Sequence, residues 1–211
     1  MASTTPHVDT HTHGFDLDAG VLALDFANTL DGRYDPEPRD NLGEYRDLLV
    51  FSILAGTLDQ QEADQLAAAA DRLPEPAAQQ LRQSRKLREA IFGVFSAVAN
   101  DRQPESGDLD VINAFHQRAM SRGKVVATSE GFAWDWEHEE ALDRPLWPIA
   151  QDAVDLLLTA DRHRLRECAA DDCGWLFYDT SRNQSRRWCS MKSCGNRAKV
   201  QQFRERKRKP S

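Results

Sequence analysis

Several common features are absent from this chain of 211 residues. No apolar run approaches the roughly 20 residues that a membrane-spanning helix needs. The P-loop, the glycine-rich dinucleotide motif, the serine nucleophile elbow and the HExxH metalloprotease motif are missing, and His116 and His138 each stand alone. No signal peptide opens the chain. We therefore expect a cytoplasmic protein that is not an enzyme and has no membrane partner.

Cysteine is missing from the first 167 residues and then occurs four times in the last 44. The pattern is Cys168-x4-Cys173, fifteen intervening residues, and Cys189-x4-Cys194. Two short turns that each present two thiolates are typical of one structural zinc site. Two disulfides or four free thiols are the alternatives, but disulfide frameworks belong to small, cysteine-dense secreted domains. Four thiolates close the coordination shell, which argues against a catalytic zinc with a bound water.

A glycine follows each cysteine pair directly. Because glycine tolerates a positive φ, we expect Gly174 and Gly195 where the chain turns round the metal and aims N–H groups at the thiolates. The repeated Cys-Gly dipeptide strengthens the prediction of a metal site.

Charge is divided unequally along the chain. Residues 161–211 carry 14 Lys and Arg against 6 Asp and Glu, a net charge of +8, whereas residues 1–160 carry 13 against 28, a net charge of −15. A basic end of this kind is attracted to phosphate backbones, while an acidic body is repelled and held away from them. A solvated basic tail that only aids solubility is the alternative interpretation.

Hydrophobic spacing predicts a mainly helical body over residues 14–160, preceded by a disordered leader over residues 1–13 that carries His7, His11 and His13. The segment Phe15–Leu30 is typical of two short strands or of a strand leading into a helix. We expect helices over Glu44–Gly56, from an N-cap at Thr57–Asp59 to Leu73, over Glu75–Asn100, Asp108–Ser121 and Pro145–Thr159, and a hairpin joining Lys124–Thr128 to Phe132–Trp136. The cations on the longest helix (Arg82, Arg85, Lys86 and Arg88) are expected on a solvated or salt-bridged face.

Polar residues interrupt the apolar segment Leu24–Leu30. Buried polar groups are costly unless they are hydrogen-bonded, so Asp25, Asn28 and Thr29 either tie down a turn or line a pocket. Turn formation is the stronger interpretation. If the pocket exists, Asn28 and Thr29 are the candidate residues for binding a small-molecule effector.

The C-terminal module shows the parts of a treble clef. The aromatic stretch after Gly174 predicts a strand, Thr180–Gln184 its turn and Arg186–Trp188 the returning strand, and Asn196–Lys209 has the composition of a helix. A knuckle, a hairpin and a helix that begins at the second cysteine pair together make a treble-clef finger.

At Cys194-Gly195-Asn196-Arg197 the chain resembles the CGNR zinc finger. The similarity extends through both cysteine pairs, Phe177-x-Asp179-x-Ser181, Arg186-Arg187-Trp188-Cys189-Ser190 and Ala198-Lys199. Upstream, Leu24–Thr29, Leu87–Ala90 and the order of elements resemble the ABATE domain, which precedes this finger in bacterial proteins regarded as stress-induced transcription regulators. The resemblance implies an α+β chain: a mainly α-helical domain with small β-hairpins over residues 14–160, then a treble-clef finger over residues 161–211. It also implies one structural Zn²⁺ held by the four cysteines.

Charge and resemblance together imply DNA as the partner of the finger. The candidate contacts are Arg186, Arg187, Lys192, Asn196, Arg197, Lys199, Arg204, Arg206, Lys207 and Arg208. Asn196 and Arg197 lie so near the metal that capping the helix or bracing the knuckle is an equal alternative for them.

These observations predict a DNA-binding transcription regulator whose helical body senses a ligand or forms a homodimer. The alternative is a zinc-stabilised module that binds protein or RNA, with an exposed Trp175 or Tyr178 anchoring a partner or stacking on a base.

Overall fold

The computed structural model describes residue 8, residues 14–136 and residues 140–208. The helices in these ranges are α1 (Leu22–Ala27), α2 (Tyr45–Leu54), α3 (Gln60–Arg72), α4 (Pro74–Ala99), α5 (Ser106–Met120), α6 (Leu146–Thr159) and α7 (Asn196–Arg208). The strands are β1 (Leu30–Asp31), β2 (Arg39–Asp40), β3 (Gly123–Thr128), β4 (Gly131–Trp136), β5 (Leu165–Glu167) and β6 (Leu176–Tyr178). They pair as three antiparallel two-stranded sheets, β1–β2, β3–β4 and β5–β6.

Local sequence explains where the helices begin. Before α3, the Asp59 carboxylate accepts the N–H of Glu62 and the Glu62 carboxylate accepts the N–H of Asp59, both at 2.8 Å, which forms a capping box. Pro74 opens α4, where its missing N–H removes no hydrogen bond. The five helices predicted in the body are confirmed, with ends within two residues of the predicted ones.

Helix α4 lies at the centre of the hydrophobic core. Leu87, Ile91, Val94 and Phe95 recur on one face of this helix, and each side chain is fully buried. Helices α1, α2, α3, α5 and α6 pack on α4. The β5–β6 hairpin packs on α1 and α4 as well, so the core of the body continues into the C-terminal module.

The predicted hairpin of the body is also confirmed. Strands β3 and β4 pair over six residues each, from Gly123 opposite Trp136 to Thr128 opposite Gly131. The base of this hairpin is anchored where Trp136 contacts Trp147 at the start of α6, with ring centroids 6.2 Å apart.

Two expectations about the body need correction. Residues 15–21 are not a strand: the first element of the described residues is α1, followed by β1, and β1 pairs with β2. Arg88 is salt-bridged, as one alternative held, but it is only 3% exposed and does not lie on a solvated face. Its guanidinium donates to both carboxylate oxygens of Asp40, at 2.6 and 3.0 Å. The spacing of apolar residues along a helix does not reveal that a cation on the buried side pairs with a carboxylate from another part of the chain, as Arg88 does with Asp40.

Among residues 1–13, the structure describes Val8 alone. Its side chain is buried, its N–H donates to Asp64 at 2.8 Å, and its carbonyl accepts from Gln60 at 3.0 Å. The rest of the predicted leader, including His7, His11 and His13, lies outside the described residues, as does His138. Within the described part of the chain, no helix is long and apolar enough to cross a membrane.

Candidate metal centre

The four cysteines converge on one point. Their Sγ atoms all lie within 4.8 Å of one another, and each residue is buried. The Sγ of Cys189 lies 3.7 Å from that of Cys173 and 3.6 Å from that of Cys194. A tetrahedral zinc with Zn–S bonds of about 2.3 Å requires S···S edges of about 3.8 Å, so the donor set fits Zn²⁺. The predicted single zinc site is confirmed.

The first pair is carried by the β5–β6 hairpin, where Cys168 follows β5 and the chain turns back through Cys173. The N–H of Cys168 donates to the carbonyl of Trp175 at 2.8 Å, and the N–H of Cys173 donates to that of Ala170 at 3.1 Å. Gly174 has φ of +71°, as its position after the pair predicted. These bonds close a tight turn that points both thiolates the same way.

Of the second pair, Cys194 lies in a π-helical turn, Met191–Gly195, that leads into α7, and Cys189 lies two residues before this turn. Gly195 donates its N–H to the carbonyl of Ser190 at 3.0 Å. The expectation of a positive φ at Gly195 is wrong. A Cβ at this position would lie 2.7 Å from the Met191 Sδ and 3.3 Å from the Trp188 ring, so a larger residue would have to displace the end of the Met191 side chain and shift against Trp188.

Donors from outside the two turns stabilise the thiolates. The N–H of Cys189 reaches the Sγ of Cys168 at 3.4 Å. The Arg197 guanidinium donates to the Sγ of Cys194 at 3.1 Å and to the Asp172 carboxylate at 2.7 Å. Four thiolates around Zn²⁺ carry a net negative charge, which this cation offsets. These contacts fit the bracing alternative for Arg197, and its contact with DNA stays a prediction.

Arg186 is also built into the frame of the site. Its side chain donates to the carbonyl of Trp188 at 3.0 Å and to that of Cys189, and its guanidinium lies 4.3 Å from the centre of the Phe177 ring. Its N–H donates at 2.9 Å to the buried carboxylate of Asp179. Asp179 accepts a second N–H, from Ser181, at 2.9 Å, so its carboxylate holds the loop between the cysteine pairs.

From the sequence, Asp179 was noted only as part of the pattern Phe177-x-Asp179-x-Ser181, and no role was predicted for it. Burial opposes its ionisation, but the donors from Ser181 and Arg186 prevail and lower the pKa of the Asp179 carboxyl below its usual value. The signal in the sequence that could have identified this role is an acidic residue that directly follows the apolar strand β6.

The loop from Thr180 to Trp188 departs from the predicted hairpin. Strand β6 is present, but residues 186–188 do not form its returning strand. Instead β6 pairs with β5, which precedes the first cysteine pair. The side chain of Arg186 and the carboxylate of Asp179 take the place of strand pairing there. The treble clef therefore remains a prediction, whereas the knuckle and the helix after the second pair are present.

The finger is docked on the body through Asn28. The side-chain amide of Asn28 donates to the carbonyl of Leu176 at 2.8 Å, and its oxygen accepts the N–H of Leu176 at 2.9 Å. Next to it, the N–H of Tyr178 donates to the carbonyl of Ala19 at 2.9 Å. Asn28 thus extends the backbone pairing of β6, and Thr29 ties its own turn by donating to the carbonyl of Phe26 at 2.8 Å.

A second set of contacts joins the knuckle to the end of α4 and to the loop between β1 and β2. The Glu167 carboxylate accepts from the Tyr34 hydroxyl at 2.6 Å, and from Ser96 and Asn100 at 2.7 Å each. The N–H of Arg33 donates to the carbonyl of Cys173 at 3.0 Å. Sequence patterns had not identified any of these contacts, because each joins residues far apart in the chain.

The cavity beside Asn28 and Thr29 is small, about 40 Å³. Small-molecule sites usually have volumes of about 300–1,000 Å³. The proposed role of these two residues in binding an effector stays a prediction, and the described structure uses both side chains for hydrogen bonds within the chain.

The remaining candidate contacts with nucleic acid lie on the surface. The exposed ones are Arg187, Lys192, Asn196, Lys199, Arg204 and Lys207. A groove of about 650 Å³ runs between residues 169–172 and the start of α7, and Arg187 and Lys199 line it. Asn196 also donates to the carbonyl of Lys192 at 3.3 Å, a capping contact. The side chains of Arg206 and Arg208 lie outside the described part of the chain.

Comparison with known families agrees with this architecture. A family model named ABATE, described as "Putative stress-induced transcription regulator", matches residues 20–160. A second model, the CGNR zinc finger, matches residues 164–207. No curated protein matches the chain in sequence.

Proposed function

Because this chain belongs to the ABATE family of regulators and ends in a CGNR zinc finger, we propose that it is a transcription regulator that binds DNA through the finger. Zinc folds the finger, and α7 together with the groove beside it contacts the phosphate backbone. The helical body senses an effector or forms a homodimer. In this role the protein binds DNA and has no catalytic activity.

One observation carries the proposal: α7 is a basic helix whose described Lys and Arg side chains are exposed, and it begins two residues after a metal ligand. Its thirteen residues include six Lys or Arg and one Glu. The helix starts at the residue after the π-turn that holds Cys194, so its first turn is held rigidly against the zinc site. Phosphate contacts from such a helix are made without first ordering the chain, which lowers the entropy cost of binding.

The contacts within the finger support a division of the candidate cations into two groups. Arg186 and Arg197 hold carbonyls, thiolate and carboxylate within the finger. Lys199, Arg204 and Lys207 are exposed along α7 and are the residues proposed to contact phosphate. Changes in the first group should act through zinc binding and folding, and changes in the second should act through affinity for DNA alone.

The test is a salt titration of binding to duplex DNA by the zinc-loaded protein. Lys199→Ala, Arg204→Ala and Lys207→Ala should each weaken binding and lower the slope of log K against log salt by about one unit. Arg197→Ala should instead act by lowering the affinity for zinc, because it leaves the Cys194 thiolate and the Asp172 carboxylate without their shared donor. Zinc content measured on each variant separates the two effects.

Lys86→Ala is the matched control, because Lys86 is an exposed cation on α4 of the body. It should leave affinity and salt slope unchanged. If the three α7 variants bind as tightly as the Lys86 variant, or if binding of the zinc-loaded protein does not depend on salt, the proposal is wrong.

A second candidate function, binding of single-stranded RNA, is favoured by Phe203. This side chain is 59% exposed on the basic helix, with the Lys207 ammonium 4.8 Å from its ring centre. Trp175 and Tyr178, the aromatic residues named from the sequence, are half-buried and pack against the core. Preference for single-stranded RNA over duplex DNA, abolished by Phe203→Ala, would replace the DNA proposal.

A further inference from the structure

The β3–β4 hairpin presents an uncovered apolar stripe. Paired residues of an antiparallel hairpin share a face, so the pairs Gly123–Trp136, Val125–Trp134 and Ala127–Phe132 all point the same way. Trp136 is buried against Trp147, but farther out Val125 is 59% exposed, Trp134 42% and Phe132 82%. Apolar exposure therefore rises towards the tip of the hairpin.

Two aromatic side chains of the stripe pack against each other. The rings of Trp134 and Trp136 stack with centroids 5.6 Å apart and an angle of 17° between their planes. A rigid aromatic surface loses little side-chain entropy when it is covered. Neither strand has a second neighbour among the described residues, and an isolated two-stranded hairpin has marginal stability in water. Both points favour an occupant that covers the hairpin.

The charges on and around the hairpin indicate what kind of partner covers the stripe. On the opposite face Lys124 pairs with Asp135 at 3.3 Å, and beside the hairpin Arg118 pairs with Asp143 at 3.1 Å. The stripe itself consists of apolar side chains. Such a face has no cation to pair with a phosphate backbone. An uncharged apolar stripe can instead pack against the same stripe of a second copy across a two-fold axis.

We propose that a second copy of this chain packs its β3–β4 hairpin against this stripe and forms a symmetric dimer. With about 150–250 Å² for each large side chain, the exposed fractions leave roughly 350 Å² of apolar surface per copy. A standard interface buries about 800 Å² per partner, so the stripe has the size of the apolar centre of such an interface, inside a polar rim. The dimer does not depend on DNA binding.

The test is sedimentation of the zinc-loaded protein without nucleic acid, up to about 100 µM. The unmodified protein should sediment at twice the mass of its 23.9 kDa chain. Phe132→Ser combined with Trp134→Ser should raise the dissociation constant at least about 100-fold, because it removes most of the exposed stripe.

Leu158→Ser is the matched control, because Leu158 on α6 is 79% exposed and lies outside the stripe. It should remain a dimer. A monomeric unmodified protein, a dimeric stripe variant, or a Leu158 variant that also dissociates would each overturn the proposal. If the stripe variant does not fold, hydrogen exchange of the unmodified protein decides. Amides of β4 should be protected at high concentration and lose protection on dilution, and equal exchange at both concentrations would refute the dimer.

Discussion

Asn28→Ala tests whether the finger and the body are one folding unit. The change removes a buried side chain that satisfies both backbone groups of Leu176, at 2.8 and 2.9 Å. Asn28 is 4% exposed and Leu176 is 1% exposed, so water cannot replace the lost bonds without opening the contact. Each buried group left without a partner costs about 1–3 kcal/mol, which gives a total loss of roughly 2–6 kcal/mol for the two groups.

A loss of that size is a large part of the 5–15 kcal/mol by which domains are commonly stable. For a chain of this length it should lower the melting temperature by roughly 4–24 °C. We expect a single transition for both parts of the molecule, because Leu165, Leu176 and Phe177 belong to the same hydrophobic cluster as α4. The assay is urea unfolding of the zinc-loaded protein followed by circular dichroism.

Asn113→Ala supplies the matched comparison, since Asn113 is exposed on α5. It should change the free energy of unfolding by no more than about 0.5 kcal/mol. If Asn28→Ala is no more harmful than Asn113→Ala, the amide does not dock the finger and the reasoning fails.

Two further predictions concern metal and pH. Removing zinc, by chelation or by Cys189→Ser, should speed amide hydrogen exchange in α4 as well as in the finger; unchanged exchange in α4 would mean that the two parts are independent. Burial raises the pKa of Asp25 to about 6 from 3.8, although the N–H of Ala19 favours the charged form. Because the folded-state pKa is the higher one, this carboxyl's stabilising contribution is complete below pH 3.8 and is lost as the pH rises through 6. Asp25→Asn should therefore gain stability relative to the unmodified protein by up to about 3 kcal/mol between pH 4 and pH 7 in urea titrations, and a constant difference would contradict the assignment.

The sequence predicted those features that repeat along the chain. The cysteine spacing identified the zinc site, and the spacing of apolar residues identified five helices and one hairpin of the body. These patterns are visible because the residues concerned are near one another in the sequence. The strand pairing of β5 and β6 was missed, because strands of three residues are too short to show alternation.

Roles that depend on a distant partner were not predictable. Asn28 and Leu176 are 148 positions apart, and nothing in either segment indicates the other. Arg186 and Arg187 are adjacent and chemically identical, yet Arg186 holds carbonyls of the loop while Arg187 is exposed beside Trp188. Charge counts treat the two alike, and only the fold distinguishes a cation that supports the site from one that is free to reach a ligand.

The shared core limits how this finger can be transplanted. Leu165, Leu176 and Phe177 are at most 2% exposed, and their contacts include the body's own helices. An excised segment that begins after residue 160 would present these side chains to water, even with zinc bound. The finger is therefore not an interchangeable cassette: grafting it onto another protein would require a surface that reproduces α1, α4 and the amide of Asn28.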